Sequence, residues 1–392
     1  MAGPSLLGIV NPKLLEWART ACALDIPAAA HKIGVKPEKV AAWEKGTAAP
    51  SIAQLRKLAD VYRRAVSFFF LNEKPRAAKA PTDFRRFEVR RAERSTPELL
   101  NAIREAQAKR DAALEIFKDM EDTPPEFDLT LRSEGDPERA AAKLVDQLGI
   151  TLSERANWND YRALRAWKAA AEAHGVLVMQ VSRIPLDEMR GCSLAMFPLP
   201  VILLNSTDSV LGRVFTLLHE LTHLARHESA LCDTEESTRQ GDVESTEAFC
   251  NHVAGAMLIP QEALLAEPLV QSANRRTEWS NDFLKRMRNR FRASREVVLR
   301  RLLILGKTSR ESYRKKREEF QDEYALLRSE QDGGFVPFPR KVVLGNGRLL
   351  TGLVLDAYDS RMITGSELSR ILGTKLDHLT AIVSEMRGPD IA

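Results

Sequence analysis

Residues 215–227 read FTLLHELTHLARH, and three of the chain's seven histidines fall within them. His219, Glu220 and His223 spell H-E-x-x-H. On an α-helix, positions i and i+4 lie one above the other, about 6 Å apart. Both imidazoles can then reach one zinc ion at ~2.0–2.1 Å. Glu220 is rotated by ~100° from His219, so its carboxylate suits a zinc-bound water better than the metal. Zinc lowers the pKa of such a water to about 7, and a nearby carboxylate can take its proton. The chemistry on offer is metal-assisted hydrolysis. The bland alternative is a buried helix that carries histidines, because so short a motif also arises by chance.

A catalytic zinc ordinarily takes three protein ligands. His227 continues the four-residue spacing, but eight residues beyond His219 is a rise of ~12 Å, too far for one metal. The longer pattern HExxHxxGxxH also fails, because Arg226 stands at the glycine and Ser229 at the third histidine. A better donor lies in ESTEAFCNHVAGAMLIP (244–260), which reads as a second helix ending at Pro260. There Glu247 and Asn251 share a face. Glu247 can bind zinc, and Asn251 can hydrogen-bond a ligating imidazole and fix its ring. Glu244, one turn earlier, is the rival ligand. Tyr161, Arg226 and His252 are candidate donors to a developing oxyanion, and the sequence does not choose among them. Cys250 has no evident basic partner and reads as a small core residue. The preceding run VILLN reads as an edge strand that could hold a peptide extended beside the helix.

VILLNSTDSVLGRVFTLLHELTHLARH followed by VESTEAFCNHVAGAMLIP resembles the ImmA/IrrE family of zinc metallopeptidases. PTDFRRFE (81–88) and FRASREVVLRRLLILG (291–306) are similar to family segments outside the site, so the resemblance spans about residues 75–310. It implies His219, His223 and Glu247 as zinc ligands, Glu220 as general base, and cleavage of a specific regulatory protein, commonly a DNA-bound repressor. Thr222 replaces the family's usual glycine and Val253 its usual phenylalanine; neither change removes a ligand.

The elements around this site divide the chain. At 392 residues and 44% apolar composition, it is long enough for two or three cores. Residues 12–71 read as short helices broken by Gly34 and Gly46, the helix-turn-helix pattern. WEKGTAAPS resembles the segment after the recognition helix in XRE-type repressor domains. The recognition helix offers Lys36, Glu38, Lys39, Ala42 and Lys45. The lysines Lys36, Lys39 and Lys45 are the expected DNA contacts, and they bind phosphate better than they specify bases. Docking of a protein remains the other reading of this domain.

EKPRAAKAPTD reads as a linker. GVLVMQVS, CSLAMF and PVILLN read as short strands. Helices then dominate to about residue 330, and a tail at 340–388 reads as a strand or two and two helices. The expected fold class is α+β and predominantly helical: an N-terminal helix-turn-helix bundle, a zincin-like metallopeptidase core with a small sheet, and a helical C-terminal region. The expected domains are 1–72, 73–270, a basic helical extension at 271–335, and 336–392.

Residues 1–72 carry a net charge of +5, and residues 275–317 hold sixteen basic against four acidic side chains, a net of +12. Such segregation points to anionic partners, DNA first. The plainer reading of the second segment is a solvated basic face. Four scattered cysteines without a CxxC pair fit a reducing cytoplasm. No run of ~18 apolar residues predicts a membrane span, and the N-terminus is a poor signal peptide. The expected activity is therefore a cytoplasmic zinc endopeptidase acting on a repressor or antitoxin-like protein, with a homodimer compatible. The rival is a non-catalytic regulator or antitoxin whose zinc domain senses or docks a partner.

Overall fold

The structure is a computed structural model. It describes residues 9–22, 24–62, 64, 66–71, 96–131, 134–226, 240–330 and 336–387, with the backbone alone at 21, 240–244 and 325–330. The linker, PTDFRRFE, His227, Cys232 and the Gly333-Gly334 boundary lie outside the described residues, as does the Glu244 side chain. The chain divides into two compact units, residues 1–104 and 105–392.

The first unit holds α1 (Pro12–Ala21), α2 (Ile26–Ile33), α3 (Pro37–Glu44) and α4 (Ile52–Val61), then a 3₁₀ turn at Val66–Phe70. Each start has a local cause. Asn11, Asp25 and Ser51 accept backbone N–H bonds at the caps of α1, α2 and α4, and Pro37 presets the first turn of α3. Gly34 ends α2 at φ +79°, a left-handed conformation that favours glycine. Leu14, Ile33, Val40, Trp43, Leu55, Leu58 and Phe69 fill the core. Arg19 donates two hydrogen bonds to Glu44, at 2.7 and 2.9 Å, tying α1 to α3. Lys36, Glu38, Lys39 and Lys45 are exposed on and beside α3, and Ala42 is half-buried.

Helix α5 (Pro97–Asp119) runs across the division. The second unit continues with α6 (Pro137–Gln147), α7 (Asp160–Ala173), β1 (Leu177–Val181), β2 (Gly191–Leu194), β3 (Val201–Asn205), α8 (Val210–Ala225) and α9 (Gln240–Leu258). Then come α10 (Asn281–Phe291), α11 (Arg295–Ile304), α12 (Arg310–Glu330), α13 (Phe338–Asn346), α14 (Arg348–Asp359), α15 (Gly365–Leu372) and α16 (Leu379–Arg387).

The sheet order is β1-β3-β2, with β1 parallel and β2 antiparallel to β3. VILLN is thus the central strand, not an edge. All five of its residues are buried, which is what a strand covered on both faces requires. The edge strand beside the histidine helix is β2. Gly191 there has no room for a Cβ, which would meet Thr216 Cγ2 of α8 at 2.4 Å.

The β1 edge is closed by the tail. Leu177 N and Val181 O bond toward β3 and its flanks, so the alternate carbonyls of Val178 and Gln180 point away from it. Gly345 and Gly347 approach those two carbonyls. Gly347 has φ +81°, and a Cβ on it would sit 2.6 Å from Glu172 Oε1 and 2.7 Å from Val178 O. The Glu172 carboxylate, on α7, accepts the Arg348 N–H at the start of α14. Burial pushes its pKa up, while Lys168 and those N–H groups pull it down.

The tail expectation is overturned here. Among the described residues 336–387 there is no strand, and the tail folds as α13–α16. Val342, Val343, Leu350, Val354 and Leu355 are buried at helical spacing, so packing outweighs the β-propensity of a short valine run.

The C-terminal end of α9 is gripped by two buried arginines. Arg155 donates to the carbonyls of Met257, at 2.7 Å, and Leu258. Arg301 donates to Ile259 O at 3.0 Å. Arg301 also makes a forked pair with Glu138 of α6, at 2.6 and 2.9 Å, and His252 meets the same carboxylate at 2.7 Å. Burial alone would raise the Glu138 pKa, but the bonds from His252 and Arg301 pull it down to about 2. A carboxyl with a folded pKa below its unfolded value stabilises above the unfolded pKa and loses that contribution as pH falls. Unfolding stability is therefore expected to drop on the order of 3 kcal/mol between about pH 5 and pH 2 through this group. Urea melts across that range should show a flatter pH dependence in Glu138→Gln.

Candidate metal centre

Helix α8 starts at Ser209, whose hydroxyl accepts the Gly212 N–H. Leu211, Val214, Leu217, Leu218, Leu221 and Leu224 bury one side of it, packed on α7, α9, β2 and β3. Upstream, Asn205 explains why β3 ends as it does. Its buried amide donates to Ile184 O and Met189 O, and its oxygen accepts from Thr207. That clamp fixes both the β1–β2 connection and the turn into α8. Thr222, the departure from the family pattern, is fully buried, and its hydroxyl donates to Leu218 O at 2.7 Å.

The other face of α8 presents His219 and His223. Their Nε2 atoms are 3.1 Å apart. Glu247 reaches across from α9, with Oε2 3.3 Å from His219 Nε2 and Oε1 3.3 Å from His223 Nε2. One ligand atom from each of the three residues lies within 4.8 Å of the others, a group that could hold a metal ion. Four ligands around zinc at ~2.05 Å in a tetrahedron are separated by about 3.3 Å. The His219–His223 separation is close to one edge of a zinc coordination tetrahedron, and each imidazole has a different oxygen of Glu247 at a like distance; two imidazoles and one carboxylate oxygen would leave a fourth position open.

Electrostatics agree with a cation being wanted there. Burial lowers the His223 pKa, but the Cys250 thiol, the Glu247 carboxylate and the charge of Glu220 push it up to about 10. Glu247 is held well below the usual carboxylate range by hydrogen bonds from His219 and His223, against its own desolvation.

Glu220 lies beside this group and not in it. Ser193 of β2 donates to its Oε2 at 2.7 Å. Sequence reasoning missed Ser193, because nothing local in GCSL connects it to a helix 27 residues later.

Asn251 forms no hydrogen bond to either imidazole among the described residues. Cys250 is buried in the core as expected, but it does have a basic partner, with Sγ 3.6 Å from His223 Nδ1. His219 Nδ1 is buried and has no partner. His252 is engaged with Glu138, on a different face of α9. Tyr161 is 63% exposed at the start of α7, and Arg226 stacks over Phe249 at 4.3 Å.

A helix pair that converges two histidines and a glutamate, with a carboxylate alongside and an open edge strand next to it, defines a metallopeptidase-like domain. Residues 171–303 match the family model of the IrrE N-terminal-like domain, a peptidase family, and the match contains the three converging residues and Glu220. Residues 15–69 match a helix-turn-helix family model. Together the two matches agree with the ImmA/IrrE resemblance, with an XRE-type domain in front. No curated protein and no solved structure matches the chain.

The partner of a ligating imidazole commonly governs metal affinity by about 10–100-fold. A thiol is a weak partner, so Cys250→Ala is expected to weaken zinc binding by about 10-fold. Asn251→Ala is expected to leave it within about twofold. Competition against a chelator of known affinity measures both.

Proposed function

We propose that the chain is a zinc-dependent endopeptidase that cleaves a specific regulatory protein, with His219, His223 and Glu247 as ligands. The observation that carries this reading is the convergence of His219, His223 and Glu247, one ligand atom from each within 4.8 Å of the others, with the two imidazole nitrogens 3.1 Å apart, close to a tetrahedral edge around zinc. A zinc ion bound there supplies a Lewis acid for the scissile carbonyl and acidifies a water. Glu220 accepts the proton of the attacking water and delivers it to the leaving amine nitrogen. Ser193 holds the carboxylate in place while the water approaches. The substrate backbone pairs with the outer edge of β2, which has no strand partner among the described residues.

The domain division proposed with this function is 1–72 for DNA docking, 73–270 for the peptidase, 271–335 for the basic helices and 336–392 for the tail. Lys36, Lys39 and Lys45 are exposed and suit phosphate contacts from the recognition helix. The substrate is a repressor or antitoxin-like protein. Cys22, Cys192 and Cys250 are buried thiols outside any disulfide among the described residues, and no helix among the described residues is long and apolar enough to cross a membrane. Both facts support a cytoplasmic site of action.

Purified protein is expected to carry about one zinc per chain by elemental analysis, lost in His219→Ala and in Glu247→Ala and retained in Glu220→Gln. Glu220→Gln should lower the cleavage rate by at least about 10²-fold with the fold intact. Co-expression with the products of neighbouring genes supplies candidate substrates. A partner shortened equally by wild type and Glu220→Gln would overturn the mechanism. A partner that co-purifies uncut from both would favour the non-catalytic regulator.

A further inference from the structure

The basic segment 275–317 separates in the structure into charge that is used and charge that is not. Arg288 and Arg292 pair with Asp160, Arg290 with Glu267, Arg295 with Glu323, Arg301 with Glu138, Lys316 with Glu319 and Arg317 with Glu296. Lys307 donates to the carbonyls of Gln271 and Ala273. These cations hold helices together and are not available to a partner.

Arg300, Arg310 and Arg314 have no carboxylate partner among the described residues, and all three are exposed. Two helices bring them into one neighbourhood around Tyr313. The pairs Glu296–Arg317 and Arg295–Glu323 set α11 and α12 antiparallel. Arg300, one turn beyond Glu296, is therefore brought level with residues about one turn before Arg317. Tyr313 lies there, half-buried, its hydroxyl bonded to Glu296 and within the fields of Arg300 and Arg317. Arg310 and Arg314 are one turn apart, about 6 Å, on the side of α12 that flanks Tyr313. Glu296 is paired with Arg317 and hydrogen-bonded by Tyr313, and the exposed Glu311 is the acid next to Arg310 in the chain.

We propose that Arg300, Arg310 and Arg314 form a contact strip for the phosphate backbone of duplex DNA. Guanidinium forks at one-turn spacing suit phosphate oxygens, and they carry no means of reading bases. A protein interface would want an apolar centre; beside this strip Ile304 alone is an exposed large apolar side chain among the described residues. The DNA assignment draws on the proposed DNA docking of the helix-turn-helix domain.

The test is a fluorescence-anisotropy titration of the full chain with a labelled duplex of random sequence, between about 50 and 200 mM salt. Removing three phosphate contacts is expected to flatten the slope of log affinity against log salt by about 2.7. Arg300→Ala/Arg310→Ala/Arg314→Ala should show that change, with the thermal unfolding midpoint unaltered. Lys285→Ala/Arg286→Ala/Lys315→Ala removes the same charge elsewhere and should change the slope much less. Equal loss in the two variants would reduce the strip to general net charge and overturn the proposal. So would a wild-type slope in the first variant, or capture by phosphatidylserine vesicles with no duplex binding. Lys36→Ala/Lys39→Ala/Lys45→Ala tests the helix-turn-helix reading separately: if that variant alone abolishes binding, the strip fails and the docking domain stands. A slope loss confined to the arginine variant gives the reverse.

Discussion

The candidate site depends on where α9 is anchored. Glu247 sits ten or more residues before the carbonyls of Met257, Leu258 and Ile259, a lever of about 15 Å. A tilt of about 5° at the anchored end would move the carboxylate by about 1 Å along such a lever, enough to spoil a metal site whose bonds tolerate about 0.2 Å. Those carbonyls belong to a helix C-terminus and have no partner within the helix. Arg155 and Arg301 take them, and both guanidinium groups are almost wholly buried. A buried positive charge at a helix C-terminus is also favoured by the helix dipole.

The two arginines solve the cost of burial differently. Arg301 is matched by Glu138, and the pair extends to His252, so α6, α9 and α11 are fastened at one carboxylate. Arg155 has no carboxylate in contact. Burial lowers its pKa to about 10, still far above neutrality, and it spreads its charge over carbonyls and the face of Trp167 at 4.6 Å. Removing either side chain would strand buried carbonyls, which is the expensive way to break a hydrogen bond. The metal group is thus rigid because of polar contacts remote from it, while leucines supply only the mean position of α8 and α9.

What was legible in the sequence follows from the range of each interaction. His219, Glu220 and His223 are fixed by one helix's own period, so their convergence could be read directly. Glu247 could be named as a donor on the following helix, but its convergence needs the crossing of two helices, which spacing alone does not record. Ser193 and Cys250 act through contacts whose partners lie 27 residues away, and no periodicity records such pairs. Asn251 shares a face with Glu247, yet the residue before it is the one that touches His223. VILLN reads as a strand, but its place in the middle of the sheet is a property of topology. The valines of the tail favoured strand locally and were overruled by helical packing against β1.

Net charge misleads in the same way. The +12 of residues 275–317 suggested one anion-binding face, yet much of it closes ion pairs inside the fold. Sequence counts charges; only geometry says which are already spent. The sheet shows the complementary case. Its two edges are equivalent in sequence terms, both short and apolar. The tail seals β1 through Gly345, Gly347 and the Glu172 carboxylate, which removes one of the two places an extended peptide could add. The edge left without a strand partner is β2, whose Ser193 already reaches Glu220. An extended peptide that pairs with the sheet there is brought alongside the carboxylate and the three converging donors.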